Sequence, residues 1–195
     1  MEGVVDLVTP RLRLRRWRDE DVADLARVNG DPEVMRWIGD GSVLDEAATA
    51  AGIAAFEDAW RARGVGRFAV ELRDTGEVIG MTGLGVLPDV PEIMPAVEIG
   101  WRFGRAHWGR GLATEAARAA LEFAFTAGGL DRIVGVHVVG NEASARVMLK
   151  LGMRFDRATT ESIFGRPVHV YAIDRAAYLG HDEYSGGSAA PPHRP

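Results

Sequence analysis

The sequence predicts an α/β (α+β) fold: a single domain with a central sheet of about seven strands and about four helices. Apolar residues recur with the two-residue period of strands in some segments and with the 3.6-residue period of helices in others. The two kinds of segment interleave, in the order strand, two helices, three strands, helix, strand, helix, two strands. At 195 residues, 47% hydrophobic and 26% charged, the chain is long and apolar enough to bury one proper core.

The first strand candidate holds Leu12 and Leu14, alternating among arginines, with Trp17 just beyond. Asp19 reads as the cap of a helix carrying Val22, Leu25, Ala26 and Val28, which stops near Asn29-Gly30. Residues 31–43 mix Pro, Gly and acids with Val34, Met35, Trp37 and Ile38, the pattern of a loop or short helix with apolar anchors. Asp45 opens a second helix through Ile53, Phe56 and Trp60, ended by Gly64. Strands at 68–72 and 78–86 are joined by Asp74-Thr75-Gly76, a hairpin signal. After a connection rich in proline (Pro88, Pro91, Pro95), 96–103 alternates cleanly. Val97, Ile99, Trp101 and Phe103 share one face; Glu98, Gly100 and Arg102 share the other.

Residues 113–127 form a helix with Ala117, Leu121 and Phe125 on one stripe, ended by Gly128-Gly129. The segment 132–139 is nearly all apolar, as a buried strand is. Asn141 caps a short helix at 142–151, closed by Gly152, and strands at 154–160 and 168–174 complete a domain of residues 1–179. The tail, 180–195, has the Gly/Ser/Pro composition of a disordered segment.

Composition removes several classes of function. The net charge of −5 argues against a general nucleic-acid binder, so no nucleic-acid partner is expected. The chain has no cysteine, which excludes disulfides, thiolate metal sites and cysteine nucleophiles. His107, His137, His169, His181 and His193 show no metal-ligand spacing, and no metal is expected. No apolar run approaches the roughly 18 residues of a membrane span. The start Met1-Glu2-Gly3-Val4-Val5-Asp6 lacks the features of a signal peptide. A cytoplasmic protein with no membrane partner is the expectation.

The sharpest functional signal is Trp108-Gly109-Arg110-Gly111-Leu112-Ala113-Thr114-Glu115-Ala116, where a strand gives way to a helix through a turn with two glycines. Orphan amides and the positive end of the helix dipole bind phosphate in such a turn. No Gly-Lys-Ser/Thr follows, so it is not a P-loop, and the spacing of a dinucleotide fingerprint is missing. A plain strand-to-helix turn would carry the same glycines, so the neighbouring motifs decide.

The turn W-G-R-G-L-A resembles the pyrophosphate-binding loop of the GNAT N-acetyltransferases, which hold acetyl-CoA. Three more segments resemble the Rim-type (RimJ/RimL-like) ribosomal-protein N-terminal acetyltransferases within that family. Thr9-Pro10-Arg11-Leu12-Arg13-Leu14-Arg15 looks like their first strand, and Val97-Glu98-Ile99-Gly100-Trp101 like their central one. Asn141-Glu142-Ala143-Ser144-Ala145-Arg146-Val147, followed by Lys150-Leu151-Gly152-Met153, looks like their second cofactor motif. The resemblance covers roughly residues 8–178 and implies a mixed, mostly antiparallel sheet flanked by helices.

It also implies acetyl-CoA as cosubstrate, with its phosphates on the loop Gly109, Arg110, Gly111, Leu112, Ala113 and Thr114. Arg110 and Arg105 offer charge to the pyrophosphate or ribose phosphate, or are simply solvated. The pantetheine arm is expected along the strand edge at Trp101, Arg102 and Phe103, in a gap where that strand splays from 132–139. Asn141 is implied to bond the same arm, although as a helix N-cap it needs no further function. Ser144, one turn on, is either a hydroxyl beside the cofactor sulfur or a bland serine of the first helical turn.

Acetyl transfer requires a neutral amine. At pH 7 a lysine amine of pKa about 10.4 is neutral in about one molecule in 2,500, and an α-amine near pKa 8 in about one in ten. Glu98, an acid on an apolar strand beside Gly100, is the candidate base, directly or through water; its plain alternative is a rim carboxylate. Many members of the family place a tyrosine four residues beyond the position of Ser144 to protonate the leaving thiolate, where this chain has Met148. That leaves Ser144, a water, or unassisted departure of a thiolate of pKa about 8.5.

Asp31, Glu33, Asp40 and Asp45 make the segment before the second helix acidic, which suits a cationic acceptor. Candidate acceptors are a protein N-terminus, favoured by the Rim resemblance, a small polyamine or aminoglycoside-like amine, and an amino acid. A non-catalytic acyl-CoA-binding protein on the same fold is the rival reading, and a homodimer is left open.

Overall fold

The alternation of Leu12 and Leu14 becomes strand β2 (Leu12–Arg15), with both leucines fully buried. The computed structural model describes residues 5–86, 96–159 and 165–185. A two-residue strand β1 (Leu7–Val8) pairs antiparallel with β2, which pairs with β3 (Arg67–Leu72). Strands β4 (Val78–Val86), β5 (Val97–Phe103) and β6 (Arg132–Val138) continue the sheet. Strands β7 (Arg154–Ala158) and β8 (Val168–Asp174) complete an eight-stranded order, β1-β2-β3-β4-β5-β6-β8-β7. Every neighbouring pair is antiparallel except β5 and β6, which run parallel.

Strand alternation sends Phe68 and Val70 to one face and Ala69 to the other. On the first face, helix α4 (Leu112–Phe125) buries Leu112, Ala116, Ala117, Ala120, Leu121 and Ala124 in one core with Leu12, Leu14, Phe68, Ile79, Ile99 and Phe103. The small alanines let the helix lie close to the sheet. On the second face, α1 (Val22–Asn29) and α3 (Glu46–Arg63) bury Leu25, Val28 and Ile53 against Ala69, Val78 and Met81. Between them runs the short α2 (Pro32–Met35), capped by the Asp31 side chain. Asp45 caps α3 by accepting from the Ala48 N–H at 2.7 Å, and Gly64 ends it at φ 68°. Helix α5 (Glu142–Lys150) covers β6, with Met148 and Met153 seated over Gly135.

Three features differ from the sequence expectation. Asp19 does not cap α1: residues Asp19–Asp21 form a single 3-10 turn, and α1 begins after it. The reason is tertiary. Both oxygens of Asp21 take the buried Arg15 guanidinium, at 2.7 and 2.8 Å, and one also takes the Arg18 N–H at 2.8 Å. A buried guanidinium needs a paired anion, and Glu71 adds a second at 2.6 Å. Among the described residues there are eight strands and six α-helices: β1 and α6 (Arg175–Ser185) are additional to the expected seven strands and four helices, and the segment read as a loop or short helix supplies α2. Helix α6 passes through Gly180, anchored by Tyr178, whose ring lies 5.3 Å from that of Phe125. Residues 186–195, Thr160 and the connection with Pro88, Pro91 and Pro95 lie outside the described residues.

Candidate active site

Strand β5 is registered with β4 along its whole length, from Val97 to Phe103. With β6 it shares one registered pair, Glu98 opposite Val134. Beyond that pair the two strands part. The gap is a cavity of about 720 Å³, lined by Ile99 to Phe103 on one side and by Val136, His137 and Val138 on the other. The Gly104 N–H donates to Ile79 O on β4 at 2.9 Å. Strand alternation therefore turns the amides of Trp101 and Phe103 the opposite way, toward the gap.

One end of the cavity is the glycine turn. Gly109 and Gly111 have φ of 72° and 76°, the left-handed conformation that glycine adopts without strain. Gly111 is the N-cap of α4, which has no side-chain cap. Among the described residues no internal acceptor takes the amides of 109–114. Four hydrogen bonds that sequence reasoning missed fix this turn. The Trp108 indole N–H donates to Phe103 O at 2.8 Å, tying the turn to the end of β5. Arg11 donates to Arg110 O at 2.9 Å and to the Glu115 carboxylate at 2.7 Å, while Thr9 donates to Glu115 at 2.6 Å. Burial would raise the Glu115 pKa, but the bonds from Thr9 and Arg11 together with the Arg11 charge bring it below its ordinary value.

Gly109, Gly111, Leu112, Ala113 and Thr114 line the cavity. Arg110 does not; it stands exposed at the tip of the turn. Arg105 is held by Asp31 at 2.8 Å.

The start of α5 forms the second wall. The Asn141 side-chain oxygen accepts from the Ser144 N–H at 3.2 Å, so Asn141 does cap the helix and keeps its NH₂ group for other partners. Asn141, Ser144 and Met148 all line the cavity. Met148 is also core, 1% exposed.

Glu98 stands at the closed end of the gap, on the face of β5 opposite Ile99 and Phe103. Its carboxylate accepts from Arg67 at 2.8 Å. Arg67 comes from β3 and reaches β5 because the row between them has no side chains: Arg67 is opposite Gly83, and Gly83 is opposite Gly100. A Cβ on Gly100 would lie 2.1 Å from the Arg67 guanidinium. Burial pushes the Glu98 pKa up, and the Arg67 charge and hydrogen bond offset only part of that rise. A carboxyl group with a raised pKa is a stronger base once ionised.

Farther along the same face, Arg102 donates to the Asn29 side-chain oxygen at 2.5 Å, and Asn29 donates to Thr49 at 3.0 Å. Burial, and then the nearby Arg67 charge, lower the Arg102 pKa to about 10. Glycines inside strands mark places where something crosses closely, the one sequence signal that could have pointed to Arg67.

The acidic wall expected before α3 does not face the cavity. Asp31 binds Arg105, Glu33 binds Arg36, Asp40 accepts from the Ser42 N–H, and Asp45 caps α3. The Trp37 ring instead roofs the mouth, packing over Gly140 with Arg36 stacked on it at 4.8 Å.

A sheet opened between two parallel strands, with a glycine turn and a helix start at the gap, is the arrangement of an acyl-CoA-dependent acyltransferase that the resemblance implied. Residues 11–154 match the acetyltransferase (GNAT) domain, and the chain belongs to the GNAT N-acetyltransferase family. It is 33% identical over 179 residues to "Uncharacterized protein YkkB" of Bacillus subtilis (strain 168), across 91% of this chain and 99% of that protein. The crystal structure of a GNAT-family acetyltransferase from Bacillus anthracis superposes with a TM-score of 0.75 at 26% identity, covering 88% and 99% of the two chains. RimJ of Mycobacterium smegmatis, in complex with CoA-disulfide, shares the fold at 22% identity and a TM-score of 0.72, covering 92% and 94%. Among the described residues no helix is long and apolar enough to cross a membrane, and no group of three His, Cys, Asp or Glu could hold a metal ion.

Proposed function

We propose that the protein moves the acetyl group of acetyl-CoA directly to a primary α-amine in a ternary complex, with a protein N-terminus as the acceptor the Rim resemblance favours. One observation carries this reading: a single cavity joins the glycine turn at one end to Glu98 at the other. The residues suit coenzyme A. The unsatisfied amides of 109–114 and the dipole of α4 match a pyrophosphate. The edge amides of Trp101 and Phe103 match the amides of pantetheine, and the free NH₂ group of Asn141 matches a carbonyl of the same arm. The CoA bound to the fold relative RimJ supports the assignment.

The amine nitrogen attacks the thioester carbonyl, forming the C–N bond as the C–S bond breaks. The nitrogen gives its proton to Glu98, directly or through water, and main-chain N–H groups at the gap hold the developing oxyanion. The thiolate takes a proton from water, directly or relayed by the Ser144 hydroxyl, which regains its own proton from water in the same step. Overall, acetyl-CoA and an ammonium ion give an amide, CoA thiol and a proton.

The test is release of CoA thiol from acetyl-CoA with peptide N-termini, polyamines and amino acids as acceptors. At least one class is expected to turn over. Tight acetyl-CoA binding with no release for any amine would leave the non-catalytic reading instead.

A further inference from the structure

The face of β5 that carries Glu98 holds two guanidinium groups to one carboxylate. Arg67 and Arg102 interact through their charges. Among the described residues the carboxylate that pairs with either of them is Glu98, through Arg67. Arg102 has a neutral amide, Asn29, as its partner, and among the described residues its buried Nε has no hydrogen-bond partner. An arginine kept for structure alone would have its donors satisfied; a buried cation facing a cavity without a counter-charge is costly unless an anion comes to it.

That anion is not the coenzyme A pyrophosphate. The glycine turn feeds α4, which packs on the Ile99 and Phe103 face of β5, whereas Arg102 emerges on the face covered by α1. Arg102 lies four residues along the strand from Glu98, with Gly100 and the Arg67 guanidinium between them. The cations Arg36, Arg67 and Arg102 and the Trp37 roof all line the cavity. Arg36 is paired with Glu33 and Arg67 with Glu98, which leaves Arg102 as the cation with a neutral partner, a site that favours an anion over a polyamine.

Building on the acetyltransferase reading, we infer that the acceptor is an aminocarboxylate, whose carboxylate binds Arg102 while its amine lies at Glu98. A planar guanidinium suits a carboxylate bidentately, and Arg102 commits Nη1 to Asn29 while its Nε is without a partner among the described residues. The carboxylate belongs to a free amino acid or to an acidic first residue of a peptide.

The test compares thiol-release kcat/KM for aspartate, glutamate and peptides beginning with Asp, Glu or Ala. Each carboxylate is paired with its carboxamide, and spermidine is included. In wild type each carboxylate is expected to exceed its amide by about 10–100-fold, mostly through KM, the usual scale for a hydrogen bond to a charged group. A preference confined to free amino acids identifies a small-molecule acceptor; one shared by Asp- and Glu-peptides identifies a protein N-terminus.

In Arg102→Gln the carboxylate preference should collapse, and Arg102→Lys should keep part of it. Equal rates for carboxylate and amide in wild type overturn the inference, as does an unchanged preference in a folded Arg102→Gln. The wild-type comparison stands even if Arg102→Gln does not fold. If no amine turns over, the acetyl-transfer reading fails. Calorimetry of the CoA-loaded protein with glutamate and with its diamide then decides the present inference: saturable binding of the carboxylate alone supports it, and binding of neither overturns it.

Discussion

Burial raises the Glu98 pKa and Arg67 lowers it, and burial wins; if Glu98 is the proposed base, its ionisation sets the acid side of the pH–rate profile. The kcat/KM of wild type should rise with pH through a midpoint above the ordinary carboxylate value. Glu98→Gln should lower it about 10²–10⁴-fold, with less loss at high pH where the amine is already neutral. A variant as active as wild type at neutral pH would make Glu98 structural. The same shift has a sign in stability. A folded-state pKa above the unfolded one contributes stability that is fully present below the unfolded pKa and is lost as pH rises through the folded pKa. The Tm of Glu98→Gln minus that of wild type should therefore increase with pH, as scanning calorimetry can measure. The leaving-group side is tested by two neighbours on α5. Met148 is buried over Gly135, so Met148→Ala should cost about 2–5 kcal/mol of stability with turnover per folded molecule nearly unchanged. Ser144→Ala spares the Asn141 cap, because the cap uses the Ser144 backbone N–H, so a fall in turnover there reports the hydroxyl. A large turnover loss in Met148→Ala with none in Ser144→Ala would reverse the assignment.

At the scale of elements, the turn between β5 and α4 was legible because its cause is local: two glycines, a missing side-chain cap and a helix start lie within six residues. Gly111→Val tests it. The substitution meets no crowding, since the nearest atom to a new Cβ is the Arg11 guanidinium at 3.7 Å. The strain is in the backbone, about 1–2 kcal/mol for a side chain at positive φ and more for a β-branched one. Acetyl-CoA affinity should be lost by calorimetry while the apo protein keeps its circular dichroism; normal binding would remove the phosphate-loop assignment. What the sequence hid was tertiary. Asp19 had the right chemistry for a cap, but Arg15 from β2 claimed Asp21 and turned the start of the helix into a 3-10 turn. Arg67 was invisible as a partner of Glu98 because their meeting depends on the register of three strands, and register is written in turns and faces rather than in either residue. The acids of 31–45 misled for a related reason: composition placed negative charge near the site, while caps and ion pairs turned it elsewhere.

Across the whole molecule the sheet is continuous except at one seam. Strands β1 to β5 form one antiparallel block and β6 to β8 another, and the two share a single registered pair at Glu98 and Val134. A ligand that fills the seam touches both blocks, so binding should stabilise the molecule as a unit rather than one loop. At a concentration of 100 times Kd, acetyl-CoA should add about 2.7 kcal/mol, which for a chain of this size raises Tm by about 5–10 °C. The distribution of protection is the sharper measurement. Hydrogen exchange should slow at the edge amides of β5, Trp101 and Phe103, and at the amides of 109–114, which have no internal acceptor. The facing stretch of β6, from Val136 to Val138, should gain protection in the same titration because the ligand replaces the strand pairing that the divergence removes. Gly111→Val should lose both effects together. Protection confined to the glycine turn, with β6 exchanging as in the free protein, would mean that the ligand binds at the turn without entering the seam, and would separate the phosphate site from the proposed chemistry at Glu98.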